Sequence, residues 1–178
     1  DVPPPDGLKD LTEVAADVLE NIPVKLRRFM TDKRPFDFRP VEPVSLDARE
    51  KLPPKKHVWI RAVDRLPDDR TLHQNLLAYV SDFELLATST LPHGLSMTRG
   101  SVIMASLDHA LWFHHDFRID DWLLYSMDSP NAAGARGFAR GQLFTSSGKL
   151  VASSSQEGLV RVVDPAHKRK RSDPRHQN

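Results

Sequence analysis

The strongest periodic signal in the chain lies between residues 71 and 89. Leu72, Leu76, Tyr79, Val80, Phe83, Leu86 and Ala87 fall in one stripe at about 100° per residue, which predicts a single amphipathic helix clasped by a sheet. Leu91-Pro92-His93-Gly94 ends it, because proline lacks an N–H and glycine tolerates a helix-terminating backbone. Upstream, Leu11, Val14, Val18 and Leu19 give a helical reading over 8–30, broken near Pro23, with Asp10 or Thr12 as the cap. Arg34 to Val41 and His57 to Val63 read as strands, with a loop over 42–56 between them and a turn at Pro67-Asp68-Asp69. Beyond the long helix, Ser101 to His115, Trp122 to Asp128, Arg136 to Thr145 and Lys149 to Val163 are β-like, and Ser146-Ser147-Gly148 joins the last two as a hairpin. Strands, one buried helix and then a long antiparallel run predict an α+β layer with the helix on one sheet face.

Composition narrows the class. The 178 residues fit one domain with trimmings, and 39% hydrophobic with 28% charged residues support an ordinary core. A formal charge of +1 gives no global field towards nucleic acid or membrane. The absence of cysteine excludes a disulfide frame, a thiolate nucleophile and a cysteine metal site, and fits a reducing compartment. No apolar run reaches the roughly 20 residues a membrane span needs, and no signal peptide is recognisable. The expected division is a linker and helical lead-in over 1–32, a folded domain over 33–165, and a basic disordered tail over 166–178 carrying Lys168-Arg169-Lys170-Arg171. The start at Asp1 is expected to mark a trimmed or partial chain, and His176-Gln177-Asn178 is no peroxisomal address.

Several chemistries lack their residues. There is no Gly-x-Ser-x-Gly elbow, no Walker loop and no dinucleotide glycine fingerprint. His109, His114 and His115 lie near Asp108 and Asp116, but on a strand Asp108 and His109 point to opposite faces, so ordinary polar residues are expected rather than a metal site. Asp82 and Glu84 sit on opposite shoulders of the helix stripe, and helical spacing alone does not choose between them. Gln156 shares a strand face with Leu150, Ala152, Val160 and Val162, which puts an amide among apolar neighbours where it needs hydrogen-bond partners. A structural glutamine and a functional one fit this placement equally well.

Four segments then occur in order: Tyr79-Val80-Ser81-Asp82-Phe83; Ser106-Leu107-Asp108-His109-Ala110-Leu111-Trp112-Phe113-His114; Ala135-Arg136-Gly137-Phe138-Ala139-Arg140-Gly141; and Val151-Ala152-Ser153-Ser154-Ser155-Gln156-Glu157-Gly158. Over roughly residues 5–163 the chain resembles the C-terminal half of bacterial acyl-CoA thioesterase II and its peroxisomal relatives. That resemblance implies a hot-dog fold, an antiparallel sheet wrapped around the long helix, and two such domains in a full-length chain. It also implies a catalytic trio of Asp82, Ser106 and Gln156, with Ser106 standing where some members have threonine. The expected activity is hydrolysis of fatty acyl-CoA to free acid and CoA, without cofactor, through a water activated by the trio. The expected partners are the acyl-CoA substrate and a second hot-dog domain in the same or another chain, giving a homo-oligomer, with no nucleic acid and no membrane span. The expected location is cytoplasmic, with peroxisomal relatives in the family. A non-catalytic hot-dog that binds acyl-CoA or a partner domain is the alternative; an enoyl hydratase would need acid and base residues that are not recognisable. If Asp82 is the base, Glu84 is an ordinary helix charge and Glu84→Gln a near-silent control.

Overall fold

The computed structural model describes residues 2–17, 34–42, 50–95 and 101–163. The chain begins with Trp59 Nε1 donating to Pro3 O and Arg39 Nη1 to Pro5 O, so the proline-rich start lies along the first strands. Helix α1 (Leu11–Asp17) opens with a reciprocal cap. Asp10 Oδ1 accepts from Thr12 N at 2.8 Å, and Asp10 N donates to Glu13 Oε2 at 2.8 Å. The expected continuation of this helix through 18–30 and the basic tail lie outside the described residues.

The strands are β1 (Phe36–Pro40), β2 (Lys55–Ala62), β3 (Val102–Ser106), β4 (Ala110–Phe113), β5 (Leu123–Ala133), β6 (Arg136–Thr145) and β7 (Leu150–Val162). They form one antiparallel sheet in the order β1-β2-β5-β6-β7-β3, with β4 also paired to β7. Alternation explains the inward face: Phe36 and Phe38, Val58 and Ile60, Leu123, Tyr125 and Met127, and Ala139 and Leu143 are buried. The β5–β6 hairpin turns on Gly134 and Ala135, both with positive φ, the geometry that matches the twist of the flanking strands. The β6–β7 turn closes through Gly148 at φ 85°, as the Ser146-Ser147-Gly148 signal predicted.

The single helix expected over 71–89 is two helical pieces. Helix α2 runs from Arg70 to Val80, capped by Asp69, whose side chain accepts from Thr71 N and Leu72 N. A turn over 81–85 comes next, and then a 3₁₀ segment, Leu86–His93. Local contacts accompany the break. Ser81 Oγ donates back to Ala78 O, Glu84 adopts φ 69°, and the hydroxyls of Thr88, Ser89 and Thr90 donate to carbonyls three or four residues earlier. The buried stripe of α2 is also rotated from the expected one: His73, Leu77 and Val80 are buried, whereas Tyr79 is exposed. His73 earns its place by hydrogen bonds, since Nδ1 accepts from Ile119 N at 3.2 Å and Nε2 lies 3.1 Å from Pro67 O.

The 3₁₀ segment lies across the inner face of β5, β6 and β7, and glycine makes room for it. A Cβ at Gly158 would stand 2.2 Å from Leu86 Cδ2, and one at Gly137 2.2 Å from Ser89 Oγ. The expected strand Ser101 to His115 is split into β3 and β4. Leu107 N and Asp108 N both donate to Glu157 O, and Asp108 Oδ1 accepts from Glu157 N at 2.7 Å. Two residues thus face one, and the strand kinks at that point.

Candidate active site

The kink at Glu157 decides which side chains meet. It ends β3 at Ser106, opposite Gly158, and leaves Gln156 one inward position further along β7. The 81–85 turn, at the end of α2, delivers Asp82 to the same place. The three sequence-predicted residues are brought together across separations of 24, 50 and 74 positions. Gln156 Nε2 donates to Asp82 Oδ1 and, at 2.9 Å, to Ser106 Oγ. Ser106 Oγ in turn donates to Asp82 Oδ1 at 3.3 Å. Gln156 is fully buried, while Asp82 and Ser106 are exposed, so the amide supports the pair from beneath and leaves it open above. The neighbours of Gln156 on its face, Ala152, Ser154 and Gly158, are smaller and more polar than the expected apolar set, because Leu150 and Val162 lie at less buried ends of the strand.

Among the described residues, Asp82 accepts only on Oδ1. Oδ2 has no donor among the described residues, and the serine hydroxyl and the amide both point at the other oxygen. Among the described residues Gln156 Oε1 is buried without a partner, whereas both amide hydrogens are used. Reversing the amide would set its oxygen against the Asp82 carboxylate, so the donor role of Nε2 is fixed by charge.

Sequence reasoning missed a second set of residues around the trio. Tyr125 OH donates to Ser81 O at 2.8 Å and lies 2.8 Å from Ser154 Oγ, which must then be the donor of that contact. Burial first, and then the Asp82 charge, push the phenol well above its ordinary value, so Tyr125 is a neutral donor. Ser81 Oγ spends its proton on Ala78 O, so it accepts from His109 Nε2 at 2.8 Å. The signal for Tyr125 was its place between Leu123 and Met127 on the inward face of β5, where a phenol needs a partner.

The histidine and carboxylate cluster weighed as a metal site is dispersed. His109 bonds Ser81, His114 Nε2 lies 2.9 Å from Ser153 Oγ, Asp108 caps Glu157 N, and Asp116 pairs with Arg70 at 3.0 Å. Glu84 is no helix shoulder charge. It lies in the turn, with its side chain paired to Lys56, so the ground for expecting Glu84→Gln to be near-silent is removed.

Comparison with known proteins identifies the family and the fold. A family model described as acyl-CoA thioesterase matches residues 27–159. Human acyl-coenzyme A thioesterase 8 is 36% identical over 168 residues, covering 90% of this chain and 52% of that protein. Acyl-CoA thioesterase 2 of Haemophilus influenzae is 34% identical over 160 residues, covering 90% and 56%. The chain therefore spans about half the length of these curated relatives. The solved acyl-CoA thioesterase II TesB2 of Mycobacterium marinum superposes with a TM-score of 0.67 at 36% identity, covering 92% of this chain and 56% of that one. A hot-dog protein from Alicyclobacillus acidocaldarius superposes at 0.62 with 15% identity, over 92% and 55%, which speaks to fold alone. The fold is thus the hot-dog that the sequence resemblance implied.

Proposed function

The chain belongs to the acyl-CoA thioesterase family, and from that premise we propose that it hydrolyses fatty acyl-CoA to free fatty acid and CoA with Asp82 as general base and Ser106 and Gln156 as water-positioning groups. The reading rests on one observation: a carboxylate, a hydroxyl and a buried amide from three distant segments meet within hydrogen-bonding distance, open to solvent on one side. Asp82 accepts a proton as the water oxygen attacks the thioester carbonyl carbon. The resulting oxyanion collapses, the C–S bond breaks, and the proton passes to the departing CoA thiolate. Ser106 Oγ keeps a lone pair to accept from the water, and Gln156 limits the water's orientation by holding Asp82 and Ser106 in place. The test is thiol release from acyl-CoA, comparing the parent with Asp82→Asn; equal turnover would sink the assignment.

We also propose that a second hot-dog domain, in the same or another chain, covers the β3–β4 edge. Ile103, Leu107, Trp112, Phe113 and Val162 are exposed there, Trp112 by 53% and Ile103 by 64%, and apolar exposure of this kind marks an interface. Light scattering showing only a well-behaved monomer of this chain would count against it. Among the described residues no helix is long and apolar enough to cross a membrane.

A further inference from the structure

Two residues beyond Asp82, the same turn contains the unusual backbone of Glu84. Only Glu84 and Ala135 have positive φ among the described non-glycine residues. Ala135 sits in a two-residue hairpin turn that demands this conformation. Glu84 does not; it lies between two helical pieces, where the left-handed region crowds Cβ against the backbone and needs support from outside. The apolar stripe of residues 71–89 favours the alternative, a right-handed residue 84 and one continuous helix.

The support comes from the sheet. Lys56 alternates with Val58, Ile60 and Ala62 on the inward side of β2, and its ammonium pairs with the Glu84 carboxylate. The two side chains are only 19% and 29% exposed, so neither charge is well solvated without the other. The Lys56 charge holds the Glu84 carboxyl below its ordinary value against the opposing effect of burial, with Arg34 adding to it.

Taking Asp82 as the base, we propose that the Lys56–Glu84 ion pair is a positioning device: it holds residue 84 left-handed and so fixes the 81–85 turn that sets Asp82 against Ser106 and Gln156. Lys56 and Glu84 act through the turn and touch no reacting atom. In the pair's absence the turn relaxes towards continuous helix and carries Asp82 away from Ser106 and Gln156, and displacements of about 1 Å can cost on the order of 10²-fold in rate.

The experiment measures thiol release from acyl-CoA, with circular dichroism and thermal melts to establish folding. Glu84→Gln and Lys56→Met are expected to lose about 10- to 100-fold in kcat, with KM within about threefold of the parent. Lys56→Met/Glu84→Gln carries no unpaired charge but keeps the strained side chain, and should stay low. Lys56→Met/Glu84→Gly also carries no unpaired charge, and glycine adopts positive φ without strain, so kcat should return to within about fivefold of the parent. Folded single variants with kcat within twofold of the parent would overturn the proposal. So would a glycine double variant no better than the glutamine one. An Asp82→Asn protein that keeps turnover would instead remove the reading on which the device rests; an inactive Asp82→Asn beside an unaffected Glu84→Gln removes the device alone.

Discussion

Two aspartates in this molecule are held in opposite ways. Asp120 sits at a corner between residues 66–73 and 116–121, with its side chain 1% exposed. Arg118 donates to both of its oxygens, at 3.1 and 3.0 Å, Leu66 N donates at 2.9 Å, and Arg65 lies at 3.4 Å. Burial alone would push this carboxyl up, but the Arg118 and backbone hydrogen bonds outweigh it and hold the group at about 2. Asp82, by contrast, is exposed and bonded through one oxygen to two neutral donors, a hydroxyl and an amide. Both oxygens of Asp120 are taken by charged or backbone donors, whereas among the described residues one oxygen of Asp82 has no protein donor. The first arrangement makes a corner rigid and the second leaves chemistry possible.

The sharpest way to break this comparison is the same substitution at both places. Asp82→Asn keeps the shape and removes the proposed base, so kcat should fall by about 10²–10⁴-fold with little change in melting temperature. Asp120→Asn should do the reverse, with turnover of the folded protein near the parent and stability reduced. Thiol release and thermal melts on both variants decide it; a crippled but stable Asp120→Asn protein would erase the distinction. Ser106→Ala and Gln156→Ala should each cost less than Asp82→Asn, about 10- to 100-fold in kcat. Their combination with Asp82→Asn should add almost nothing under the proposal that the three act on one water. Additive losses would mean that they do separate jobs.

The Asp120 effect carries a pH signature. Its folded carboxyl lies at about 2 against an ordinary 3.8, so the stability it contributes is complete above about pH 4 and is lost as pH falls through about 2. Full conversion of that shift would be about 2.5 kcal/mol, and screening around the exposed Arg65 and Asp68 reduces it to about 1–2 kcal/mol. Acid denaturation of Asp120→Asn beside the parent should show a gap at pH 7 that closes towards pH 2. A gap independent of pH would mean that shape, not charge, is what Asp120 supplies.

The two sites were unequally legible in the sequence. Alternation located β1, β2, β6 and β7 and put Gln156 on an inward face, because strand period depends only on neighbours two apart. Asp82 was singled out from Glu84 by resemblance, since both shoulders of the stripe look alike to a periodicity argument. What stayed hidden depends on contacts remote in sequence. The break of the helix at 81–85 involves Lys56, 28 positions from Glu84, and the division of β3 from β4 involves Glu157, 49 positions from Asp108. The Asp120 corner was equally silent: its partner Leu66 lies 54 positions away. Local propensity cannot report a strain that a distant charge sustains.

Tyr125 tests where one region ends and the other begins, and its expected effect is the smallest. Its hydroxyl is wholly buried, donates to Ser81 O and receives from Ser154, so it resembles the saturated Asp120 corner. Its partner Ser81 nevertheless adjoins Asp82, so it also touches the reactive turn. Tyr125→Phe preserves the ring and the packing and removes one neutral hydrogen bond, a loss of about 1 kcal/mol, since Ser81 O is left buried without its donor. If the hydroxyl only satisfies a buried carbonyl, the melting temperature should drop and kcat should stay within about threefold. If it helps hold the turn, kcat should fall by more than the stability loss accounts for, with KM unchanged. The first outcome is expected, because Ser81 retains its N–H bond to Leu77 O and its His109 contact, so the start of the turn is secured without the phenol.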